Sequence, residues 1–389
     1  MKRKMLAAVC AVSLLAGCGT GAASAEAETQ EALAQNTQET QEAEASSEES
    51  EEAEPESQEE TEEEADFREL FEVAAEGIDY LSVEGIRLPP GVRLAMVGKD
   101  SGSSFWKQVH AGAAQAVDDI NEALGFTGDE KAELDYDAPA DSDIAEQIDI
   151  IDQMLDKSPD GLIIGFLDIN SGKTQLELAE ANGVPVFAAD SGIENSLLIS
   201  ESKTDNYQAG MEAAARLCEL IGDKGQIALL VHSSETETGI ERESGFRDEI
   251  QENHPNVELV NVAYQDQDER STDDIVAAVL AEYPELKAYA ATNEDTTEAL
   301  ASALELYGPE EGTVLITGFD ASDNEIKLLE EGRLAGVMAQ NPYAMGYASA
   351  VSSFREIAGL ENASLIDTGH TWITPENLSD PAVQLLIYK

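Results

Sequence analysis

"GLIIGFLDINSGKTQLELAEANGVPVFAAD", residues Gly161 to Asp190, decides how the rest of the chain is read. Two short apolar runs, "GLIIGF" and "VPVFAA", flank a turn and the start of a helix. Apolar runs without polar alternation suit strands buried on both faces, as in a parallel sheet covered by helices. The turn ends in Gly172-Lys173-Thr174, the ending of a phosphate-cradling loop, which also needs a glycine five places before Gly172. That position holds Leu167, and the nearest glycine, Gly165, falls two places too early inside the apolar run. The nucleoside triphosphate reading fails on spacing. The stretch reads as strand, turn and helix start, with Asp168 as the helix N-cap and Lys173 on the surface.

The same alternation continues on both sides. Strand-like runs recur as "VRLAMVG", "QIALLV", "VELVNVAY", "LKAYAAT", "TVLITGF" and "LAGVMAQ". They are separated by segments with helical apolar spacing, such as "FWKQVHAGAAQAVDDINEAL", "EQIDIIDQML" and "TTEALASALELYG". Such alternation predicts parallel sheets flanked by helices. A body of about 300 residues is too long for one ordinary sheet domain and suits two lobes.

The N-terminus is of another kind. Met1-Lys2-Arg3-Lys4 is basic, Met5 to Leu15 is apolar, and Leu15-Ala16-Gly17-Cys18 puts small residues before a cysteine. This resembles a bacterial lipoprotein signal (1–17), which implies lipidation at Cys18 and a place at the outer face of the cell membrane. The apolar stretch is too short to span a bilayer; an ordinary cleaved signal with a chance cysteine is the alternative. No Lys or Arg occurs from Met5 to Phe67, and "SSEESEEAEPESQEETEEEAD" is nearly continuous negative charge. Residues 18–66 are therefore expected to form a disordered acidic tether, with 67–91 a lead-in to a folded body at 92–389.

The formal net charge is −58. Nucleic-acid binding is disfavoured, because it requires clustered basic residues. Once Cys10 leaves with the signal and Cys18 carries lipid, Cys218 alone remains, so no intramolecular disulfide is expected. In its helical context, Cys218 reads as a small buried hydrophobe.

In open α/β sheets, ligands sit at the carboxyl ends of the strands. Those ends carry Lys99, Asp100, Ser103, Phe105 and Trp106, then Asp190 and Ser191. Further on come Arg242, Asn293, Asp320 and Gln340. Aromatic faces cover the C–H faces of a sugar ring, while carboxylates, amides and a guanidinium meet its hydroxyls.

With these residues in place, the body from Val92 to Lys389 resembles the ribose-binding type of periplasmic sugar-binding protein. "SSFWKQVHAGAAQAVDDI", "DGLIIGFLDINSGKTQLELAEANGVPVFAAD", "TNEDTTEALASAL", "ITGFDASDNEIKLLEEGRLAGVMAQNPYAMG" and "ENLSDPAV" carry the likeness. It implies a type I periplasmic binding protein fold of two lobes, about 92–204 with 341–368 and about 205–340 with 369–389. They would be joined by a three-segment hinge near 203–206, 340–343 and 367–371. It also implies a monomeric partner of an ABC permease that captures a monosaccharide without a cofactor. Phe105, Trp106, Asp190, Arg242, Asn293, Asp320 and Gln340 match the family's ligand contacts, as do Lys99 and Ser103. The family's arginine after the aspartate is Ser191 here.

Each match has a structural alternative. Phe105 or Trp106 can be core, Arg242 can pair on the surface with Glu241 or Glu243, and Asn293 and Asp320 can cap helices. A sensory receptor of the same fold would recognise ligand in the same way, and an exported α/β hydrolase would need a nucleophile–base pair that the sequence does not display. No metal site is expected. The histidines are scattered, and "DQDERSTDD" (266–274) has Arg270 at the third acidic position of a calcium loop and Ser271 at its glycine position.

Overall fold

The structure is a computed structural model, and it describes residues 67–389 apart from 141, 194–195, 268–269, 310–311 and 389. The signal segment, Cys18 and the acidic tether lie outside the described residues, as does part of the acidic loop at 266–274. In chain order the first elements are α1 (Phe67–Leu70), β1 (Ala74–Ala75) and β2 (Ile78–Asp79). There follow β3 (Arg93–Val97), α2 (Ser104–Leu124), β4 (Glu133–Asp137), α3 (Ile144–Asp156), β5 (Gly161–Ile164), α4 (Lys173–Asn182), β6 (Val186–Ala189) and β7 (Leu198–Lys203). The second half runs α5 (Asn206–Leu220), β8 (Gly225–Val231), α6 (Glu237–Asn253), β9 (Val257–Tyr264), α7 (Thr272–Glu282), β10 (Leu286–Ala291), α8 (Glu294–Tyr307), β11 (Leu315–Phe319), α9 (Asp323–Glu330) and β12 (Gly336–Gln340). The chain then continues through α10 (Pro342–Ile357), β13 (Leu365–Asp367), β14 (His370–Ile373) and α11 (Pro381–Gln384).

Two six-stranded sheets result, in the orders β13-β7-β6-β5-β3-β4 and β14-β12-β11-β10-β8-β9. The two orders are the same pattern repeated, and each sheet is the centre of one α/β lobe. The chain passes between sheets three times: from β7 into α5, from β12 into α10, and from β13 into β14. Every pairing in the first six-stranded sheet is parallel, while β1 and β2 form a separate antiparallel pair. In the second, β14 runs antiparallel to β12, so that sheet is mixed and not wholly parallel as the strand–helix alternation predicts.

Side-chain alternation explains why the strands read as unbroken apolar runs. Leu94 and Met96 join the core that includes α2 and α10, whereas Ala95 and Val97 join the core of α3 and α4. In the second lobe Ile227, Leu229 and Val231 pack with α5 and α6, while Ala228 and Leu230 face the core that includes α7 and α8. Both faces of each sheet are covered, so neither face favours polar residues. Glycines let the long helices cross closely. A Cβ on Gly112 or Gly346 would run into the facing backbone of α10 or α2, and Gly210 and Gly245 stand in the same relation between α5 and α6.

Three expectations need correction. Asp168 does not cap α4. Gly172, with φ of 80°, occupies that position, and the Asp168 carboxylate instead accepts from the N–H of Asn170 at 2.9 Å within the turn. Asp320 does not cap the helix that follows it: α9 begins at Asp323, and its cap is Ser322 in a capping box with Glu325. Residues 67–91 are part of the folded body. Phe67 sits edge-on to Tyr343 and Tyr347, Val73, Tyr80, Leu81 and Ile86 are buried in the main core, and the Tyr80 hydroxyl accepts from the N–H of Ala363 at 2.7 Å. Cys218 is buried as expected, and burial pushes its thiol up to about 12.

Candidate functional site

The carboxyl ends of both sheets face one cavity of about 850 Å³. All nine residues matched to the family's ligand contacts line it: Lys99, Ser103, Phe105, Trp106, Asp190, Arg242, Asn293, Asp320 and Gln340; of the two other residues read at the strand ends, Asp100 lines it and Ser191 does not. Lys99, Ser103, Phe105, Trp106 and Asp190 come from the first lobe; the other four come from the second.

Asp190 and Asp320 occupy the same place in the two sheets, immediately after β6 and after β11. Each donates its backbone N–H to the neighbouring strand, to the Ser202 carbonyl at 2.9 Å and the Met338 carbonyl at 2.8 Å. Both are held in the left-handed backbone region, at φ of 68° and 89°, which non-glycine residues rarely adopt and which recurs at functional sites. Their carboxylates meet different partners. Asp190 pairs with the Lys99 ammonium at 2.7 Å, both side chains being nearly buried. Asp320 accepts from the Gln340 amide at 2.6 Å and from the backbone N–H of Glu294, the first residue of α8, at 2.8 Å. Burial raises the Asp320 carboxyl above its usual value, and the Asp190 charge adds to the rise. Arg242, Gln340 and the Glu294 N–H act in the opposite direction.

Arg242 is 2% exposed and makes no surface ion pair. Its Nε donates to Asn206 Oδ1 at 2.9 Å and its Nη1 to the Thr292 carbonyl at 2.6 Å, and the guanidinium lies 4.0 Å from the centre of the Phe319 ring. Glu241 instead binds Lys203, and Glu243 binds Arg247. Burial lowers the Arg242 value, opposed by Asp320 and Asp190, but a guanidinium stays charged in proteins.

Asn293 does cap α8: its Oδ1 accepts from the Thr296 N–H at 3.0 Å in a capping box. Ser103 caps α2 by accepting from the Trp106 N–H. Phe105 and Trp106 are both largely buried and meet edge to face, 5.9 Å apart. The Trp106 ring lies against Gly98 and Gly165, where any Cβ would collide with it, so it is wedged on the ends of β3 and β5. Phe105 reaches the other lobe, edge-on to Tyr388 at 6.2 Å.

Further contacts close the lobes over the cavity. Ser104 Oγ donates to Glu294 at 2.8 Å, the Gly192 N–H to Glu237 at 2.8 Å, and the Ile169 N–H to the Glu235 carbonyl at 3.0 Å. Burial pushes Glu294 up to about 7. Beside the chain crossing at β7, Lys203 lies 2.8 Å from Glu237 and 3.2 Å from Glu241. Burial and a hydrogen bond with Glu237 push Glu201, on the same strand, up to about 9.

His232, Glu294 and Tyr388 also line the cavity but were not singled out from the sequence. His232 directly follows β8, so the strand-end rule could have found it. Its Nδ1 lies 2.8 Å from the Thr292 hydroxyl. Burial, then Arg242 and Lys99, hold it well below its usual value, leaving it neutral. Tyr388 follows no strand of either sheet, and no local pattern marks it. Eight carboxylates line the cavity against the cations Lys99 and Arg242, a balance that repels anions. Among the described residues no cluster of three or more His, Cys, Asp or Glu is arranged to hold a metal ion.

The sequence profile of the periplasmic binding protein domain matches residues 94–361. The chain belongs to this family. Among curated relatives of this periplasmic binding protein, the ribose import binding protein of Bacillus subtilis is 25% identical over 53% of the chain. That alignment spans 66% of the relative, just under two thirds of its length. The D-apiose import binding protein of Actinobacillus succinogenes is 25% identical over 70% of the chain and 86% of its own length. Among solved structures, an ABC transporter solute-binding protein from Agrobacterium vitis, bound with α-D-tagatopyranose, is 26% identical with a TM-score of 0.71. It covers 77% of this chain and 99% of its own.

Proposed function

We propose that this chain is an extracytoplasmic solute-binding lipoprotein that captures a monosaccharide between its lobes and delivers it to an ABC importer. The observation that carries the reading is the convergence of Asp190 and Asp320, strand-end carboxylates of opposite lobes, on one cavity that also holds Arg242, Phe105 and Trp106. A ligand touching both aspartates is completed by neither lobe alone, so its binding energy favours the closed state over the open one. Carboxylates accept sugar hydroxyls in charge-assisted hydrogen bonds, Arg242 donates to a hydroxyl or ring oxygen, and the aromatic pair covers C–H faces. The excess of carboxylates selects a neutral polyol over a sugar phosphate or sugar acid. The import and sugar-binding roles of the named relatives support the same reading.

A thermal-shift screen of neutral pentoses and hexoses against their phosphates and acids tests it, because a ligand that binds only the folded state raises the melting temperature. Neutral sugars are expected to raise it; a rise with charged sugars alone contradicts the reading. For the anchor, Cys18→Ala is expected to move the protein from membranes to soluble fractions. Fatty-acid labelling that persists in Cys18→Ala would refute lipidation at that residue.

A further inference from the structure

Two residues that line the cavity, Gln340 and Tyr388, each carry a buried polar atom for which no other described residue supplies a hydrogen-bond partner, Gln340 Oε1 and the Tyr388 hydroxyl. Gln340 must point its amino group at the Asp320 carboxylate, 2.6 Å away, because two acceptors would repel there. Its carbonyl oxygen is thereby left as a fixed acceptor. Tyr388 is fixed by its backbone. Its N–H donates to the Ala321 carbonyl at 3.1 Å and its carbonyl accepts from the Asp323 N–H at 3.0 Å, which anchors the residue on the segment that begins with Asp320. Its ring is held edge-on to Phe105 of the other lobe, and the residue is 2% exposed. Burial, followed by the charges of Asp320, Glu325 and Glu294, raises the phenol far above its usual value, so it is present as a neutral O–H donor. A buried donor and a buried acceptor without partners destabilise a protein unless something else completes them.

We infer that Tyr388 is a ligand-recognition residue whose phenol donates a hydrogen bond to an oxygen of the bound sugar, beside the Gln340 contact that the family likeness already implies. The inference rests on the monosaccharide reading above and deepens it. The C-terminal segment contributes a specificity contact to the second lobe beside Asp320. The Phe105–Tyr388 contact ties this contact to closure, since the same ring that binds ligand meets the opposite lobe.

The test uses the mature chain, wild type and Tyr388→Phe. D-Ribose, D-allose, D-apiose, D-tagatose and D-arabinose are screened by thermal shift, and each sugar that binds wild type is titrated calorimetrically into both proteins. Tyr388→Phe keeps the ring and its Phe105 contact. Without sugar it is expected to melt at the wild-type temperature or above, because it removes an unpartnered hydroxyl. Its affinity is expected to fall by about three- to tenfold, the value of one neutral hydrogen bond. The loss should vanish for one monodeoxy analogue of the bound sugar, the analogue lacking the oxygen that Tyr388 meets. Unchanged affinity in Tyr388→Phe overturns the assignment and leaves the monosaccharide reading standing. A sugar-free melting temperature lowered enough to account for weaker binding overturns it as well, by making the hydroxyl structural. If none of the five sugars binds wild type, the monosaccharide reading falls and this inference falls with it.

Discussion

Asp190 and Asp320 are the same residue type at the same place in two sheets of the same strand order, yet their surroundings differ. Both end the third strand of their sheet, both sit in the left-handed backbone region, and both are 4% exposed. Asp190 is neutralised by Lys99, a full charge 2.7 Å away. Asp320 is held by an amide and a helix N-terminus, with the Arg242 guanidinium as the nearby charge. The repeated fold sets where each carboxylate stands. The side chains around it, which the repeat does not copy, set how its charge is compensated.

The largest expected effect follows from the ion pair. Asp190→Ala leaves the nearly buried Lys99 ammonium unpaired and should lower unfolding stability by about 3 kcal/mol. Adding Lys99→Met should recover most of that loss, because it removes the stranded charge; denaturant melts of the single and double variants measure the coupling. Asp320→Ala should cost less, about 2 kcal/mol, since it strands two neutral donors, the Gln340 amide and the Glu294 N–H. Equal losses at the two positions would mean that the ion pair gives Asp190 no special standing.

The next effect belongs to the contact between lobes. Burial and the Glu237 hydrogen bond raise Glu201 to about 9, against the pull of Lys203. Burial lowers Lys203, but its acidic neighbours Glu201, Glu237 and Glu241 together override it and raise the amine. For a carboxyl raised above its ordinary value of 4.5, the stabilisation is full below that value and is lost as pH rises toward 9. If closure creates this environment, it takes up a proton in that window. Ligand affinity should then weaken as pH rises from about 6 to 9, by at most about tenfold per unit. Titrations across that range should show Glu201→Gln with a shallower slope; an identical slope in the variant would remove Glu201 from closure. The smallest effect is at a cap: Ser103→Ala should lower stability by about 1 kcal/mol in denaturant melts, with affinity changed only as far as the start of α2 shifts.

How far these features are legible in sequence depends on the residue. Strands β3, β5, β6, β8 and β10 to β12 are visible because helices cover both faces and leave uniform apolar runs. β4, "ELDYD", lies at a sheet edge and alternates exposed with half-buried residues, so its acidic positions hide it. β7, "LISESK", is polar because Glu201 and Lys203 serve the contact between lobes, and β13 and β14 are too short for a pattern to emerge. Most of the cleft residues are legible because the strand-end rule gives position without tertiary contacts, whereas Arg242 lies inside α6 and is reached only through the family likeness. The partners of these residues are not legible. Nothing local predicts that Lys99 meets Asp190 across 91 positions, or that Asp320 accepts from the first turn of α8 instead of capping its own helix. Tyr388 reaches the cleft through a single bridge to Ser322, a contact without sequence periodicity.

The central claim is that the two aspartates act on one ligand from opposite lobes. Calorimetric titration of the sugar found by the thermal screen into wild type, Asp190→Asn and Asp320→Asn tests it most directly, since asparagine preserves shape and removes the charged acceptor. Each substitution should weaken binding by roughly tenfold to a hundredfold, the contribution of a charge-assisted hydrogen bond of about 1.5–3 kcal/mol, while both variants remain folded. Wild-type affinity in either variant would show that its aspartate serves the scaffold alone and that the ligand is not gripped from both lobes in this way.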